Sequence, residues 1–409
     1  MKKNKIKFPD MGTSDSGKPK VLNTADNFEE LLKSEKLAAM MNMMTWEYEL
    51  IQNGLIIQDH DISRSILISL ASIHNFPRIA IDDHFKAVAR KNEYHPVEKW
   101  LSTEEWDGTN RVDAVINCLN SANPEIANFV LKRWLVGCVA SLYESNFSSK
   151  LVPVLRGEQS FKKTAFIERI ATVVPKCFLP GAELNPDHKD SVLSVIRSWI
   201  VELGELERTT KNNQGSLKAF ITKSSDTIRP PYSRTDINKR RQTHLIATVN
   251  EMNFLKDHTG NTRYAVIELK EVPDIDTINE ILGWKYDPTG KTELVDPQKL
   301  KQFWLEIKYL YDNQYGWMLT KNESILVAQE SERYEEKGIW YSMLSDHLDN
   351  CETYPKEWLT TTQICNQLKI ENAPPSIVGK SLAALSRINK IERRLINGKY
   401  EYSFPIIIS

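Results

Sequence analysis

Apolar and polar residues alternate along the first third of this chain with a helical period. Between residues 27 and 100 apolar side chains recur every three to five positions, as at Ile66, Leu67, Leu70 and Ile73. This spacing puts them on one face of an α-helix. The pattern predicts a helical N-terminal domain over residues 23–145. Residues 1–22 show no period and are rich in Lys, Gly, Ser and Pro, which predicts a flexible tail.

A different pattern begins near residue 146. Short and nearly continuous apolar runs are typical of strands that are buried on both faces of a sheet, and they cover residues 151–155, 198–203 and 243–248. Helical segments separate them, around 163–172, 188–198 and 215–223. Strands that alternate with helices favour a parallel sheet with helices on its faces. The sequence therefore predicts an α/β domain over residues 146–290.

The last part of the chain repeats neither pattern. A helical connector is predicted over 291–345, and residues 346–409 read as two helices followed by a hairpin with an Asn397-Gly398 turn, which is the order of a winged helix. Residues 376–400 hold six basic side chains against one acid, Glu392. This balance favours a DNA-binding winged helix, and a protein-binding one is the alternative. The candidate DNA contacts are Lys380, Arg387, Arg393, Arg394 and Lys399.

Composition narrows the class of protein. The chain has 54 acidic against 53 basic residues, and 41% of its 409 residues are hydrophobic. This excludes a disordered chain and a small, wholly basic nucleic-acid binder. Five cysteines without a Cys-x-x-Cys pair fit the reducing cytoplasm. No apolar run approaches the ~18 residues of a membrane span, so no membrane partner is expected.

A candidate phosphate loop follows the first buried strand, at residues 156–164. Gly157, Lys163 and Thr164 occupy the first Gly, the Lys and the Ser/Thr of G-x-x-x-x-G-K-[ST]. In such a loop backbone N–H groups surround the phosphates, the lysine neutralises them, and the hydroxyl binds Mg²⁺. The second glycine is replaced by Lys162, so an ordinary strand–turn–helix is the alternative. The candidate nucleotide contacts are Gly157, Gln159, Ser160, Lys162, Lys163 and Thr164.

Polar residues end the next two buried strands. Glu202 and Glu205 close the second strand, where a mononucleotide-binding domain carries acids that hold Mg²⁺ and orient water. The alternative is a strand that runs into a charged helix start. Asn250 ends the third strand, where it can position the attacking water or act as a turn residue.

The order and spacing of these segments resemble the virulence-associated E family, whose members are ATPases of phages and mobile elements related to superfamily 3 and poxvirus-type helicases. The likeness covers about residues 90–340. The segments that carry it are residues 92–97, 106–111, 199–206, 217–221, 229–232, 247–250 and 257–264. The family's loop has glycines where this chain has Ser160 and Lys162. Where the family has a pair of arginines, this chain has Thr262-Arg263.

The resemblance implies an AAA+-like ring ATPase, usually a hexamer, that acts on DNA in replication of a mobile element with ATP and Mg²⁺. Lys163 and Thr164 would then hold phosphate and Mg²⁺. Glu202 and Glu205 would be the metal-side and catalytic acids, in an order left open. Asn250 would be the first sensor, and Arg263 the arginine finger of a neighbouring subunit.

A basic segment precedes the third strand. In this helicase class the equivalent segment forms a hairpin that faces the pore and follows a DNA backbone. The candidates are Arg229, Arg234, Lys239, Arg240 and Arg241. A solvated basic face is the alternative, as is a contact of Arg229 or Arg234 with nucleotide across the subunit interface. Together these features predict an ATP-dependent DNA helicase or replication initiator, with replication proteins as further partners. The alternative is a DNA-binding or loading protein that keeps the fold without efficient hydrolysis.

Overall fold

The structure is a computed structural model that describes residues 6–204, 206–228, 237–252, 254–255, 263–334, 339–370 and 374–406. These residues form a mixed α/β protein with a five-stranded parallel sheet at its centre. The α/β class and the parallel sheet predicted from the sequence are thereby confirmed.

The N-terminal part mixes short strands with helices. In chain order its elements are β1 (Met11–Thr13), β2 (Pro19–Val21), α1 (Ala25–Ser34), β3 (Leu37–Asn42), β4 (Glu47–Gln52), β5 (Leu55–Ile57), α2 (His60–Ile73), α3 (Ile79–Lys91) and β6 (Glu93–Tyr94). β1 and β2 pair as a hairpin, and the other strands form a sheet in the order β5-β4-β3-β6. Helices α1, α2 and α3 contribute to a core shared with this sheet.

Two predictions for this region are wrong. The domain over 23–145 is not purely helical, because β3 to β6 form a sheet within it. Leu37, Ala39 and Met41 are buried on alternate positions of β3, and this period of two is too short-lived to stand out among the helical spacings around it. The tail predicted over 1–22 is structured from residue 6, where Phe8 is buried and stacks on Phe76 with ring centroids 5.6 Å apart.

Three helices lead to the central sheet, namely α4 (Pro96–Leu101), α5 (Val112–Asn117) and α6 (Pro124–Tyr143). The Asn123 side chain caps α6 by accepting a hydrogen bond from the Ile126 N–H, and Pro124 occupies the first turn. By length and composition α6 would be able to cross a membrane, but 78% of its apolar window is buried inside the protein. It is the core helix on one side of the sheet.

The central region alternates strands and helices. Its elements are β7 (Val152–Arg156), α7 (Lys163–Ala171), β8 (Phe178–Ala182), α8 (Lys189–Ile196), β9 (Ile200–Leu203), α9 (Leu206–Thr222), β10 (Ser225–Ile228), β11 (Ile237–Arg240), β12 (His244–Val249) and β13 (Tyr264–Glu268). The sheet has the order β13-β7-β12-β9-β8, with every neighbouring pair parallel. β10 and β11 form a separate antiparallel hairpin.

Both faces of this sheet are covered, which explains its continuous apolar runs. Leu155, Ile246 and Ile267 pack with α6 and α7 on one face, and Val154 and Val201 pack with α8 and α9 on the other. Because the strands are parallel, the carboxyl ends of β7, β9 and β12 lie along one edge. The loops that follow these strands therefore meet there.

Further helices complete the core. The elements are α10 (Ile275–Leu282), β14 (Trp284–Tyr286), β15 (Thr292–Leu294), α11 (Pro297–Asp312), α12 (Lys321–Ser331) and a 3₁₀ turn (Glu332–Tyr334). The stretch predicted as a connector over 291–345 is mostly helical where it is described. However, α11 is part of the main core, because Trp304 packs on Trp199 with ring centroids 4.6 Å apart.

The C-terminal unit has its own core. It consists of α13 (Ile339–Asn350), β16 (Lys356–Thr360), α14 (Thr361–Gln367), α15 (Pro375–Arg387), β17 (Arg393–Ile396) and β18 (Lys399–Pro405). Because Leu344 of α13 is buried in this core, the unit begins before residue 346, the boundary predicted from the sequence. The strands pair antiparallel in the order β16-β18-β17. Thr360 and Gln363 form a capping box at the start of α14. Asn397 and Gly398 both have positive φ at the tip of the β17–β18 hairpin, as an Asn-Gly turn of type I′ requires.

Candidate functional site

The loop between β7 and α7 keeps backbone conformations that favour glycine, although two of the family's glycines are replaced by other residues. Ser160 and Lys162, which stand where the family has glycines, have φ of 69° and 51°. This left-handed conformation costs an L-residue roughly 1–2 kcal/mol. At Gly157 a Cβ would come within 2.9 Å of the Phe161 ring, so that position requires glycine in this arrangement.

Lys163 lies at the centre of the loop. Its side chain is buried, and the ammonium donates hydrogen bonds to the carbonyl oxygens of Gly157 at 2.7 Å and Glu158 at 2.9 Å. It also donates to Oδ1 of Asn250 at 2.8 Å. The lysine of the loop and the residue after β12 are therefore brought into contact, although 87 positions separate them.

Glu202 is the most enclosed acid of the site, with only 1% of the residue exposed. Its Oε1 accepts hydrogen bonds from the hydroxyls of Thr164 at 2.6 Å and Thr248 at 3.1 Å. Its Oε2 accepts one from the Gly181 N–H at 3.3 Å. These three donors fix the carboxylate at the start of α7, beside the loop.

A cavity of about 590 Å³ opens over these groups. Its lining includes six of the predicted residues, Ser160, Lys162, Lys163, Thr164, Glu202 and Asn250. Gly157 is buried at the start of the loop and Gln159 is exposed, and neither of them lines the cavity. Glu205, the second predicted acid, lies outside the described residues.

Several lining residues were not predicted from the sequence, namely Phe161, Pro180, Gly181, Glu183, Gly204 and Thr248. Gly181 and Gly204 allow β8 and β9 to approach closely, since a Cβ on Gly204 would lie 3.0 Å from the Gly181 Cα. Thr248 carries a usable signal, because it is the one hydroxyl in β12 and directly follows the apolar run Leu245-Ile246-Ala247. Gly181 follows a register shift between β8 and β9 that the sequence pattern does not mark.

The oxygen atoms at this edge fit Mg²⁺. Mg²⁺ is usually held by one or two carboxylates together with substrate phosphates and water, and the Thr164 hydroxyl and Glu202 carboxylate supply hard oxygen donors beside an open cavity. Within the described parts of the chain, no group of three or more His, Cys, Asp or Glu side chains forms an all-protein metal site.

Arg263 lies at the opposite end of the strands from the loop, beside the amino ends of β13 and β7. It immediately precedes β13, and its carbonyl accepts a hydrogen bond from the Val152 N–H at the first residue of β7. β7 spans five residues, which separates this end from the loop by about 15 Å. The Arg263 Nε is buried without a hydrogen-bond partner among the described residues. The side chain therefore starts far from the cavity of its own chain.

The predicted basic hairpin requires two corrections. Lys239 is 4% exposed, and its ammonium donates to the backbone carbonyls of Met44 and Ile196. Arg241 is 7% exposed and forms two hydrogen bonds of 2.7 Å with Asp226. These two side chains are committed to contacts at the base of the hairpin, so they are not available to DNA as predicted. A count of charges along the sequence does not reveal which side chains are buried.

The other members of this basic set differ in position. Arg240 is exposed, and its guanidinium donates to the carbonyls of Ser141 and Glu144. Arg229 and Arg234 lie outside the described residues.

Burial lowers the pKa of Lys239 to about 7 from an ordinary value of 10.5. Between these two pH values the unfolded chain holds a proton that the folded chain has released, so the free energy of unfolding rises with pH. We expect wild-type protein to gain up to about 1.4 kcal/mol per pH unit relative to Lys239→Met in this window. Urea unfolding at several pH values from about pH 7.5 to about pH 9 measures the difference. Parallel pH profiles for the two proteins would contradict the expected deprotonation.

The C-terminal unit presents cations on a helix and a hairpin. Lys380 is exposed on α15, and Lys399 is exposed at the start of β18. Arg393 stacks on Tyr400, while Arg394 is hydrogen-bonded to Glu401 at 2.7 Å and stacks on Trp358. Arg387 ends α15, and its side chain is outside the described part of the structure.

The fold and site define an α/β protein with a lysine, a hydroxyl and a buried acid around a cavity at the carboxyl edge of a parallel sheet. The chain belongs to the virulence-associated protein E-like family, whose domain model matches residues 101–336. The resemblance found in the sequence is thus confirmed.

The solved structures that this chain matches include two apo structures of the NrS-1 C terminal region. One is 11% identical, with a TM-score of 0.46, over 92% of this chain and 98% of that one. The A form of the same region is 12% identical, with a TM-score of 0.47, over 92% and 99%. The curated proteins gave no match.

Proposed function

We propose that this protein is an ATP-dependent DNA helicase or replication initiator of a phage, satellite or other mobile genetic element, acting in the cytoplasm as an oligomeric ring. The observation that carries the proposal is the convergence of Lys163, Thr164, Glu202 and Asn250 on one cavity. The family to which the chain belongs agrees with this function.

Each of these side chains has a chemical task in nucleotide hydrolysis. The Lys163 ammonium would exchange its two loop carbonyls for phosphate oxygens and neutralise their charge. The Thr164 hydroxyl donates its proton to Glu202 and keeps lone pairs for a cation. Thr164 and Glu202 would therefore hold Mg²⁺, which would stabilise negative charge on the phosphates when bound.

Asn250 is suited to orient water. Its Oδ1 already accepts a hydrogen bond from Lys163, which leaves the amide N–H groups to act as donors. An Asn held this way at the edge of the phosphate site can position an attacking water. Glu205 would supply or share the role of base with Glu202.

The position of Arg263 supports assembly. An arginine about 15 Å from its own loop is placed to serve another subunit's nucleotide rather than its own. We therefore include a ring, with six subunits as the family expectation, in the proposal.

Single-stranded DNA is the proposed partner in the pore. Arg229, Arg234 and Arg240 remain the candidate pore contacts of the hairpin. The exposed Lys380 and Lys399 support a second, duplex-binding role for the C-terminal unit as a winged helix, in which α15 would enter the major groove.

Hydrolysis of ATP by the purified protein tests the function. We expect Mg²⁺-dependent phosphate release that single-stranded DNA stimulates severalfold, because DNA would bind and organise the ring. Mass photometry with ATP and DNA should show species larger than the monomer. Absence of phosphate release both with and without DNA would refute the enzymatic proposal.

One observation favours a second function, a DNA-binding or loading protein with little hydrolysis. The loop lacks two family glycines, and its lysine is held by loop carbonyls. Tight DNA binding together with no heat of ATP binding in calorimetry would support this function. Strand displacement driven by ATP would exclude it.

A further inference from the structure

The loop between β7 and α7 retains two L-residues in a conformation that glycine adopts without cost. Lys162 has φ 51° and ψ 29° immediately before α7, and Ser160 has φ 69°. Here a Cβ crowds the following carbonyl oxygen, whereas glycine has no Cβ. Strained residues that persist at a cavity point to a function of their side chains.

The Lys162 side chain is placed to perform such a function. It is exposed and contributes to the lining of the 590 Å³ cavity. Its ammonium makes no hydrogen bond or ion pair with any residue in the described part of the chain. The neighbouring Lys163, by contrast, is buried and bonded to the loop and to Asn250.

The charge balance of the cavity gives the second ammonium a role. Among the residues that the structure describes, the lining carries two acids, Glu183 and Glu202, against two cations, Lys162 and Lys163. Without Lys162 the acids would outnumber the cations at a site proposed to receive a polyphosphate anion. An ammonium at the rim offsets this repulsion, and salt screens its attraction for the anion.

We propose that Lys162 is a second phosphate-binding lysine, and that it raises the affinity for a nucleoside triphosphate at the expense of the loop's conformational stability. The inference rests on the proposed function, because it assumes that the cavity binds such a nucleotide. According to this inference, the replacement of the family's glycine by Lys162 strengthens nucleotide binding rather than weakening it.

Two glycine variants separate an effect at the cavity from the general effect of relieving backbone strain. Lys162→Gly removes both the charge and the strain, so we expect a higher midpoint of thermal unfolding and an ATP affinity about tenfold lower. Lys36→Gly, the matched control, relieves a similar strain at φ 56° on an exposed lysine that does not line the cavity, so the midpoint should rise while ATP affinity stays the same. Calorimetry with ATP and thermal unfolding without nucleotide measure the two quantities.

Lys162→Asn keeps the test independent of glycine's flexibility. Asparagine tolerates the left-handed region and carries no charge, so it should lower ATP affinity without a large change in the unfolding midpoint. The gap in affinity between wild type and Lys162→Asn should narrow as sodium chloride is raised.

The outcomes distinguish this inference from the function on which it rests. Wild-type protein that binds no ATP would overturn both. Wild-type protein that binds ATP no more tightly than Lys162→Gly and Lys162→Asn would overturn the inference alone. Lower affinity in both variants, with unchanged affinity in Lys36→Gly, would establish it.

Discussion

Lys163→Ala is expected to weaken ATP binding about a hundredfold and to abolish hydrolysis. The ammonium is the one buried cation that contacts the loop carbonyls and Asn250 together. Its removal takes away charge-assisted hydrogen bonds to phosphate, each about 1.5–3 kcal/mol. Two such bonds correspond to a hundredfold change or more in the dissociation constant. Calorimetry with ATP and a phosphate-release assay measure the two effects.

A matched control and a measurement of folding distinguish a specific loss of ATP binding from unfolding of the protein. Lys150 is exposed two residues before β7, at the far edge of the sheet, so Lys150→Ala should bind and hydrolyse ATP as wild type does. Lys163→Ala should also keep a cooperative thermal transition, because two of its three described partners, Glu158 and Asn250, are exposed residues that water can reach. Equal ATP affinity in Lys163→Ala and wild type would exclude the loop as the nucleotide site.

The central sheet and part of the site follow from the sequence by simple geometry. Three apolar runs predict β7, β9 and β12 within a few residues, because strands buried on both faces need continuous apolar side chains. Parallel strands bring their carboxyl ends to one edge. This rule anticipates that Lys163 meets Asn250 and that Thr164 meets Glu202, contacts of 2.8 and 2.6 Å.

The rest of the site depends on pairings that the sequence does not encode locally. Gly181 reaches Glu202 only because β8 shifts register against β9. The burial of Lys239 depends on the carbonyl of Met44, which comes from the N-terminal sheet. A basic segment alone gives no sign of such distant partners, so the sequence predicts an exposed DNA-binding surface there.

The pairing of Asp226 with Arg241 is also not visible in the sequence. Substitutions in this pair have the largest expected effect on stability. Both side chains are almost fully buried, and the guanidinium donates two hydrogen bonds of 2.7 Å to the carboxylate. It also lies over the Phe220 ring, 3.9 Å from the centroid. The pair therefore joins the base of the β10–β11 hairpin to α9.

Removing one partner of this pair should be far more damaging than removing both. We expect Asp226→Ala to lower the free energy of unfolding by about 3–5 kcal/mol, because it leaves the Arg241 charge buried without its acid. The double variant Asp226→Leu/Arg241→Met should recover most of that loss, since apolar side chains replace a desolvated pair at little cost. Urea unfolding of the single and double variants measures the difference.

The same variants decide how a loss of DNA binding should be read. Arg241 was a candidate DNA contact, but its guanidinium is committed to Asp226, so DNA affinity should follow the stability of the hairpin base rather than the charge at position 241. The double variant, folded but without the guanidinium, should then bind DNA nearly as wild type does. Lys223→Ala, which removes an exposed cation near the end of α9, controls for a general change in charge. Weak DNA binding by a fully folded double variant would return Arg241 to the DNA-binding surface and contradict its structural role.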